Sequence, residues 1–436
     1  MTGRSAREIA ESVERGIGRG GLRPGQRLPP IRTLAGDLGT SPATVAAAYR
    51  SLRERGLVVA GGRRGTVVSH RPPLPVSTMV PVPPGVRDLR AGLPDQRLLP
   101  DLGPALASAH APGVASGRHE ERNDQRLLAL AGERLRRDGI DPSHMAVVGG
   151  ALDGVERVLA ARVSRGDLVA VEDPSYPPVL DLLAAMGASP LPIQVDEEGL
   201  RPAALREALA RRPKALVVVP RAQNPTGAAL TASRAEELRA LLAEREELLV
   251  IEDDHAHEIA GSACHTLTDR RRERWAVIRS AAKTLNPDLR LAVLAGDATT
   301  VRRVEGRQVL GTGWVSTILQ RTVAALWSDP RTDALVARAR QAYAARRRAL
   351  VAALAERGIP ARGRTGLNVW VPVREEAVAV EALLAGGWAV RAGERFRLRT
   401  GPGIRVTIAT LQPDEAPALA DAIAATQRTS RRARPY

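Results

Sequence analysis

Apolar residues recur at helical spacing from Ala6 to Ile17, with Ile9, Ala10, Val13 and Ile17 on one face, which predicts an amphipathic first helix. A turn-rich break over residues 20–29 separates it from a short helix, Ile31–Leu38, stopped by Gly39. Ser41-Pro42 opens a third helix over Ala43–Arg55. Serine can cap its first turn, and proline's missing N–H costs nothing at the first helical position. Two β-branched runs, Leu57–Ala60 and Thr66–Ser69, flank the glycine-rich residues 61–65, predicting a hairpin tipped by Arg63 and Arg64.

Six prolines in residues 71–86 mark a semi-stiff spacer and set the expected domains: 1–70, a linker over 71–86, and 87–436. Beyond it, apolar runs alternate with Ala/Leu/Arg-rich helical stretches: Ala146–Val148, Leu168–Val171, Ala215–Val219, Leu248–Ile251, Trp275–Ile278 and Leu291–Leu294. This order predicts an α/β fold with a mostly parallel sheet. After Asp329 the pattern changes to long helices with a few late strands, predicting a small C-terminal α+β subdomain over about 330–428.

Composition narrows the class. A chain of 436 residues with 44% hydrophobic and 26% charged residues is ordinary for a globular protein of two or more domains. It lacks a long apolar run and a signal-like N-terminus, and has one cysteine, Cys264; a cytoplasmic location without membrane partners is expected. Nothing is singled out as a metal ligand. The net charge of +16 favours polyanion partners. Almost all of the basic residues are arginine, and lysine occurs only at Lys214 and Lys283, so each lysine is informative.

Helix, glycine turn, capped helix and basic-tipped hairpin is the order of a winged helix-turn-helix. The capped helix would enter the major groove with Ser41, Ala43 and Thr44 at its start. Arg63, Arg64 and Gly65 at the wing suit phosphate or minor-groove contact. The alternative is a small three-helix domain with a solvated basic surface. The stretch LRPGQRLPPIRTLAGDLGTSPATV (22–45) resembles the GntR-family signature, a likeness that extends over residues 6–69. That resemblance implies Arg32 on the DNA backbone, Ser41–Thr44 in the groove, and a double-stranded operator as partner. Pro42 and Ala46 depart from it, standing where arginines are often found.

In the larger part the strongest signal is Ser280, then Lys283, then Arg290, following an apolar strand. A lysine amine condenses with an aldehyde cofactor, and a serine with an arginine fork can hold its phosphate. Alone, Lys283 could be a surface lysine. Leu249–Asp254 ends in carboxylates where α/β sheets bind ligands, so one of them could pair with a pyridine nitrogen, or the cluster could merely cap a helix or join a salt bridge. Asn224 lies in a loop after a strand and could donate to a ring hydroxyl, although Asn-Pro-Thr-Gly is commonly only a turn. Gly150, Ala151 and Leu152, at a strand–helix turn, could cradle phosphate. Tyr176 could stack on a ring, and Arg405 could grip a carboxylate.

Taken in order, these motifs resemble the fold-type I, class I/II aminotransferases over roughly 87–428. The resemblance implies pyridoxal 5'-phosphate as cofactor, with Lys283 as its imine lysine and Asp253 at the pyridine nitrogen. It also implies Asn224 at the ring hydroxyl, Ser280 and Arg290 on phosphate, Arg405 on a substrate or effector carboxylate, and a homodimer. Fusion to a GntR-type reader resembles the MocR-type regulators. His255 stands where those usually have tyrosine, and Ala282 where serine is common. Three functions follow: a regulator sensing pyridoxal phosphate or an amino compound, a working aminotransferase with a DNA-binding appendage, and a cofactor-free dimerisation scaffold. His255 favours the first over the second, and the retained Lys283, Asp253, Asn224 and Arg290 disfavour the third.

Overall fold

The computed structural model describes residues 1–18, 21–23, 25–54, 56–60, 65–69, 81–109, 122–268 and 272–432. Its contacts divide the chain into two units, Met1–Val80 and Pro81–Tyr436. The first contains α1 (Ala6–Gly18), α2 (Ile31–Leu38), α3 (Pro42–Glu54), β1 (Val58–Ala60) and β2 (Thr66–Val68). The helical spacing of α1 carries Ile9, Ala10 and Val13 into a core with Leu34, Val45, Tyr49, Leu52, Val58 and Val68. Each large apolar side chain fully buried there contributes about 1.5–3 kcal/mol. Ile17 is only partly buried against it.

Gly39 ends α2 in the left-handed conformation, φ 62°, which glycine adopts without a Cβ clash. Ser41 caps α3: its Oγ accepts from the Thr44 N–H at 3.1 Å. The helix starts at Pro42, one residue before the expected position. β1 and β2 pair antiparallel with Val58 opposite Val68. Arg63 and Arg64 at the expected wing tip, and residues 71–80 of the expected linker, lie outside the described residues.

In the second unit, α4 (Gln125–Arg137) precedes β3 (Met145–Val148), α5 (Ala151–Ala160) and β4 (Leu168–Asp173). There follow β5 (Ser189–Asp196), β6 (Gly199–Leu200), β7 (Ala215–Val218), β8 (Leu249–Asp254), β9 (Trp275–Ser280) and β10 (Ala292–Gly296). They form one sheet in the order β3-β10-β9-β8-β7-β4-β5-β6. The pairs from β9 through β5 are parallel, whereas β10 is antiparallel to both neighbours and β6 to β5. The sheet is therefore mostly parallel, with helices over both faces, and its strands are buried along nearly their whole length, as such sheets require.

β5 has no counterpart in the sequence reading because Pro190 and Pro192 argue against a strand. It is tolerated near the sheet edge, where its outer side pairs only at Val195 and Asp196 with the two-residue β6. Beyond the sheet come α6 (Pro330–Glu356), β11 (Asn368–Pro372), β12 (Arg391–Ala392), β13 (Gly403–Thr407) and α7 (Ala416–Arg432). The last three strands make an antiparallel sheet, order β11-β13-β12. Tyr343, Leu350 and Leu354 of α6 share a core with Val369, Ile404 and Val406 of that sheet. Among the described residues no helix is long and apolar enough to cross a membrane.

Candidate cofactor site and DNA-reading surface

Parallel neighbours bring the C-terminal ends of β4, β7, β8 and β9 to one edge, where ligands bind in α/β sheets. One cavity of about 230 Å³ lies there, and its wall includes Gly150, Ala151, Leu152, Tyr176, Asn224 and Asp253. His255, Ser280, Lys283, Arg290 and Arg405 line the same cavity. Residues spread over more than 250 positions of sequence thus converge on a single space.

Asp253 sits next to the end of β8, buried among apolar strands. Burial and the neighbouring Asp254 carboxylate push its carboxyl up to about 7, against the pull of the Lys283 amine. Its Oδ1 has no hydrogen-bond partner among the described residues, which is costly for a buried carboxylate. A protonated ring nitrogen would satisfy that oxygen and restore its charge.

Lys283 follows β9, and its Nζ donates to the Gly92 carbonyl at 2.6 Å. Burial first, then Arg405 and Arg290, push its amine down to about 8, while Asp253 opposes them. A larger fraction of free amine, the nucleophilic form, is present near neutral pH than in an exposed lysine. Ser280 ends β9, its Oγ accepting from the Ala282 N–H at 3.2 Å.

Gly150 precedes α5 with φ 105°, a backbone conformation other residues rarely adopt; a Cβ there would stand 3.6 Å from Nη2 of Arg290. The glycine turn therefore brings the first N–H groups of α5, at Ala151 and Leu152, beside a guanidinium. Donors of a helix start and an arginine fork together suit a phosphate.

Arg405, on β13, donates through Nη1 to the Asn224 Oδ1 at 3.1 Å and through Nη2 to the Arg90 carbonyl. Its guanidinium lies 5.0 Å from the centre of the Phe396 ring. Burial and then Arg391 push it down to about 10, and its Nε is buried without a partner among the described residues. Tyr176 stands at the cavity mouth, 37% exposed. Burial and then Asp253 raise its phenol. His255 is pushed down to about 4 by burial and by Lys283, so it is a neutral imidazole at pH 7.

Taken together, this donor set fits pyridoxal phosphate: an unsatisfied carboxylate, a depressed amine, and a glycine-and-arginine cradle. Sequence reasoning missed the floor. Gly92 supplies the acceptor for Lys283, and a Cβ there would meet the Arg405 guanidinium at 3.3 Å. It also missed Glu172, whose carboxyl burial pushes up to about 8. Glu172 Oε2 accepts from the Val219 N–H at 3.2 Å and from Gln223 Nε2 at 3.3 Å, tying down the loop that carries Asn224. A buried acid in an apolar strand was its one sequence signal.

In the first unit, Ser41 and Ala43 are exposed and Thr44 half-buried at the start of α3. Arg32 on α2 is exposed, and so are Arg50 and Arg53 on α3. Gly65 precedes β2 with φ 75°, and a Cβ there would meet the Arg27 guanidinium at 3.3 Å. Arg27, not singled out from the sequence, thus lies beside the second strand of the hairpin, where it bridges to Val67.

Residues 5–68 match the family of bacterial regulatory proteins, gntR family. Residues 124–423 match aminotransferase class I and II. A similar relative is the vitamin B6 salvage pathway transcriptional repressor PtsJ of Salmonella typhimurium, 38% identical over 96% of this chain and 98% of its own. The probable rhizopine catabolism regulatory protein MocR of Rhizobium meliloti is 27% identical over 91% and 85% respectively. Among solved structures, Pyrococcus horikoshii kynurenine aminotransferase has a TM-score of 0.73 at 21% identity, over 79% of this chain and 91% of its own. That likeness shows the aminotransferase fold. With both family matches in one polypeptide and full-length regulators among its relatives, the chain belongs to the MocR-type transcription regulators, a GntR-family DNA-binding domain fused to a class I and II aminotransferase domain.

Proposed function

We propose that this DNA-binding regulator holds pyridoxal phosphate in the cavity around Lys283 and takes as its signal the cofactor itself or an amino compound that reacts with it. The observation that carries this reading is the meeting of Lys283, Asp253 and Arg290 in one cavity with an orphaned carboxylate oxygen. The relative described as a vitamin B6 salvage repressor supports the same signal. Residues 1–70 read double-stranded DNA, residues 71–86 link, and residues 87–436 sense, with the subdomain at about 330–428 carrying Arg405.

Bound pyridoxal phosphate supplies an aldehyde on an electron-withdrawing ring. Asp253 would hold a proton at the ring nitrogen, and the amide nitrogen of Asn224 would donate to the ring hydroxyl. Ser280, Arg290 and the start of α5 at Gly150, Ala151 and Leu152 bind phosphate. Tyr176 would stack on the ring, neutral His255 would offer a hydrogen bond beside Lys283, and Arg405 would grip an effector carboxylate. Arg32, Ser41, Ala43, Thr44 and the wing at Arg63, Arg64 and Gly65 contact DNA, phosphate contacts positioning and groove contacts specifying. The exposed apolar side chains Leu310, Trp314 and Ile318 support a homodimer, and the DNA-binding domain supports a cytoplasmic location beside its operator.

The test is the absorption spectrum of the purified protein with added pyridoxal phosphate, before and after borohydride. A band lost on reduction, with a stable adduct in the protein mass, is the expected result. No band and no adduct at saturating cofactor would contradict the reading and leave the larger domain a scaffold.

A further inference from the structure

β8 and β9 present opposite faces at alternate residues. Asp253 and Ser280 face the cofactor cavity; Asp254 and Arg279 belong to the other side. There Arg221 Nε and Nη2 reach Asp254 at 2.8 and 2.7 Å, and Arg279 Nε reaches it at 3.0 Å. Both arginines also contact Asp138. Beside this buried cluster lies a second cavity of about 670 Å³, between α4, the turn at His257–Ile259 and α6.

Six arginines line it: Arg134, Arg137, Arg221, Arg279, Arg340 and Arg348. Only Asp138 and Glu258 line it with opposite charge, and Asp254 stands behind Arg221 and Arg279. Asp333 also reaches Arg134, at 3.4 Å, so the balance of these groups is about +2 by Coulombic counting. Arg137, Arg340 and Arg348 are exposed and pair with no acid among the described residues. The carboxylates of Asp138 and Asp254 with Cys264 have the spacing of a cation site, but the two guanidiniums already bound to them exclude a cation.

The other wall is apolar. Trp327 is buried, with the Arg134 guanidinium 5.1 Å from its ring centre. Its indole Nε1 and the Oγ of Ser262, on two lining residues, are buried without partners among the described residues. Buried donors of this kind are rare and costly, and here they border a space rich in free guanidinium forks.

We propose that this cavity is a second small-molecule site, taking a phosphate-bearing ligand with a planar apolar part. Arg340, Arg348 and Arg137 hold the phosphate, and the wall at Trp327 receives the ring. The inference does not rest on the cofactor reading, because none of these residues lines the cavity of Lys283.

Calorimetric titration of the full chain with adenosine monophosphate and with pyrophosphate tests it. Saturable binding of both is expected, tighter for the nucleotide. The double variant Arg340→Ser, Arg348→Ser, exposed positions that carry no core contact, should weaken both at least tenfold, and Lys283→Ala should leave both unchanged. Absence of saturable binding, binding that survives the double substitution, or binding lost in Lys283→Ala would each overturn the proposal. Equal affinity for the two probes would overturn the apolar part of the ligand.

Discussion

Lys283→Ala is expected to abolish the borohydride-reducible attachment of pyridoxal phosphate completely, while the variant keeps its fold. The chain has one other lysine, Lys214, which is exposed and outside the cavity, so Lys214→Ala should leave the attachment intact. Burial and the cationic neighbours Arg405 and Arg290 push Lys283 down to about 8. At a fixed subsaturating cofactor concentration, initial attachment should therefore rise with pH through a midpoint near 8 rather than near the usual 10.5. Survival of the adduct in Lys283→Ala, or its loss in Lys214→Ala, would move the site elsewhere.

The second large effect is on stability. Asp254 is fully buried between Arg221 and Arg279. Arg221 and Arg279 hold its carboxyl well below the usual range, against the burial that would raise it. Asp254→Asn leaves two guanidiniums, themselves 6% and 7% exposed, with only Asp138 to answer them. Removing one partner of a buried ion pair costs about 3–5 kcal/mol, so the variant should melt well below the parent at pH 7. The sign with pH follows from the depressed value: the stabilisation is present above the ordinary value of 3.8 and is lost as acid titrates the folded carboxylate. The gap between variant and parent should therefore close at low pH. Equal melting at pH 7 would mean that the cluster is structurally idle.

How far the sequence reached depended on whether a residue's signal was local. Gly39 and Ser41 announce the ends of helices in the next two or three residues, and α2 begins and ends where the pattern put it. Lys283 stood out because lysine is otherwise all but absent, and the carboxylates of β8 because they interrupt an apolar strand. The Gly92 carbonyl was illegible: any residue supplies a carbonyl, and only the fold brings it to 2.6 Å from Lys283. β5 was hidden because Pro190 and Pro192 are poor strand residues, tolerated only by its place near the edge. The arginine-lined cavity behind β8 was invisible for another reason. In a chain this rich in arginine, single arginines carry no weight, and only α4, α6 and two strand ends folded together make six of them a site.

The proposed function predicts that occupancy of the cavity at Lys283 alters how the DNA-reading domain holds DNA. The direct measurement is fluorescence anisotropy of the protein on an operator duplex selected from random sequence, at one fixed salt concentration, with and without saturating pyridoxal phosphate. Coupling between two sites commonly amounts to about 1–3 kcal/mol, or roughly 5- to 150-fold in affinity. The expected result is a shift of at least about fivefold in Kd, absent in Lys283→Ala. An identical Kd with and without the cofactor, while the reducible adduct forms to full occupancy, would contradict the account.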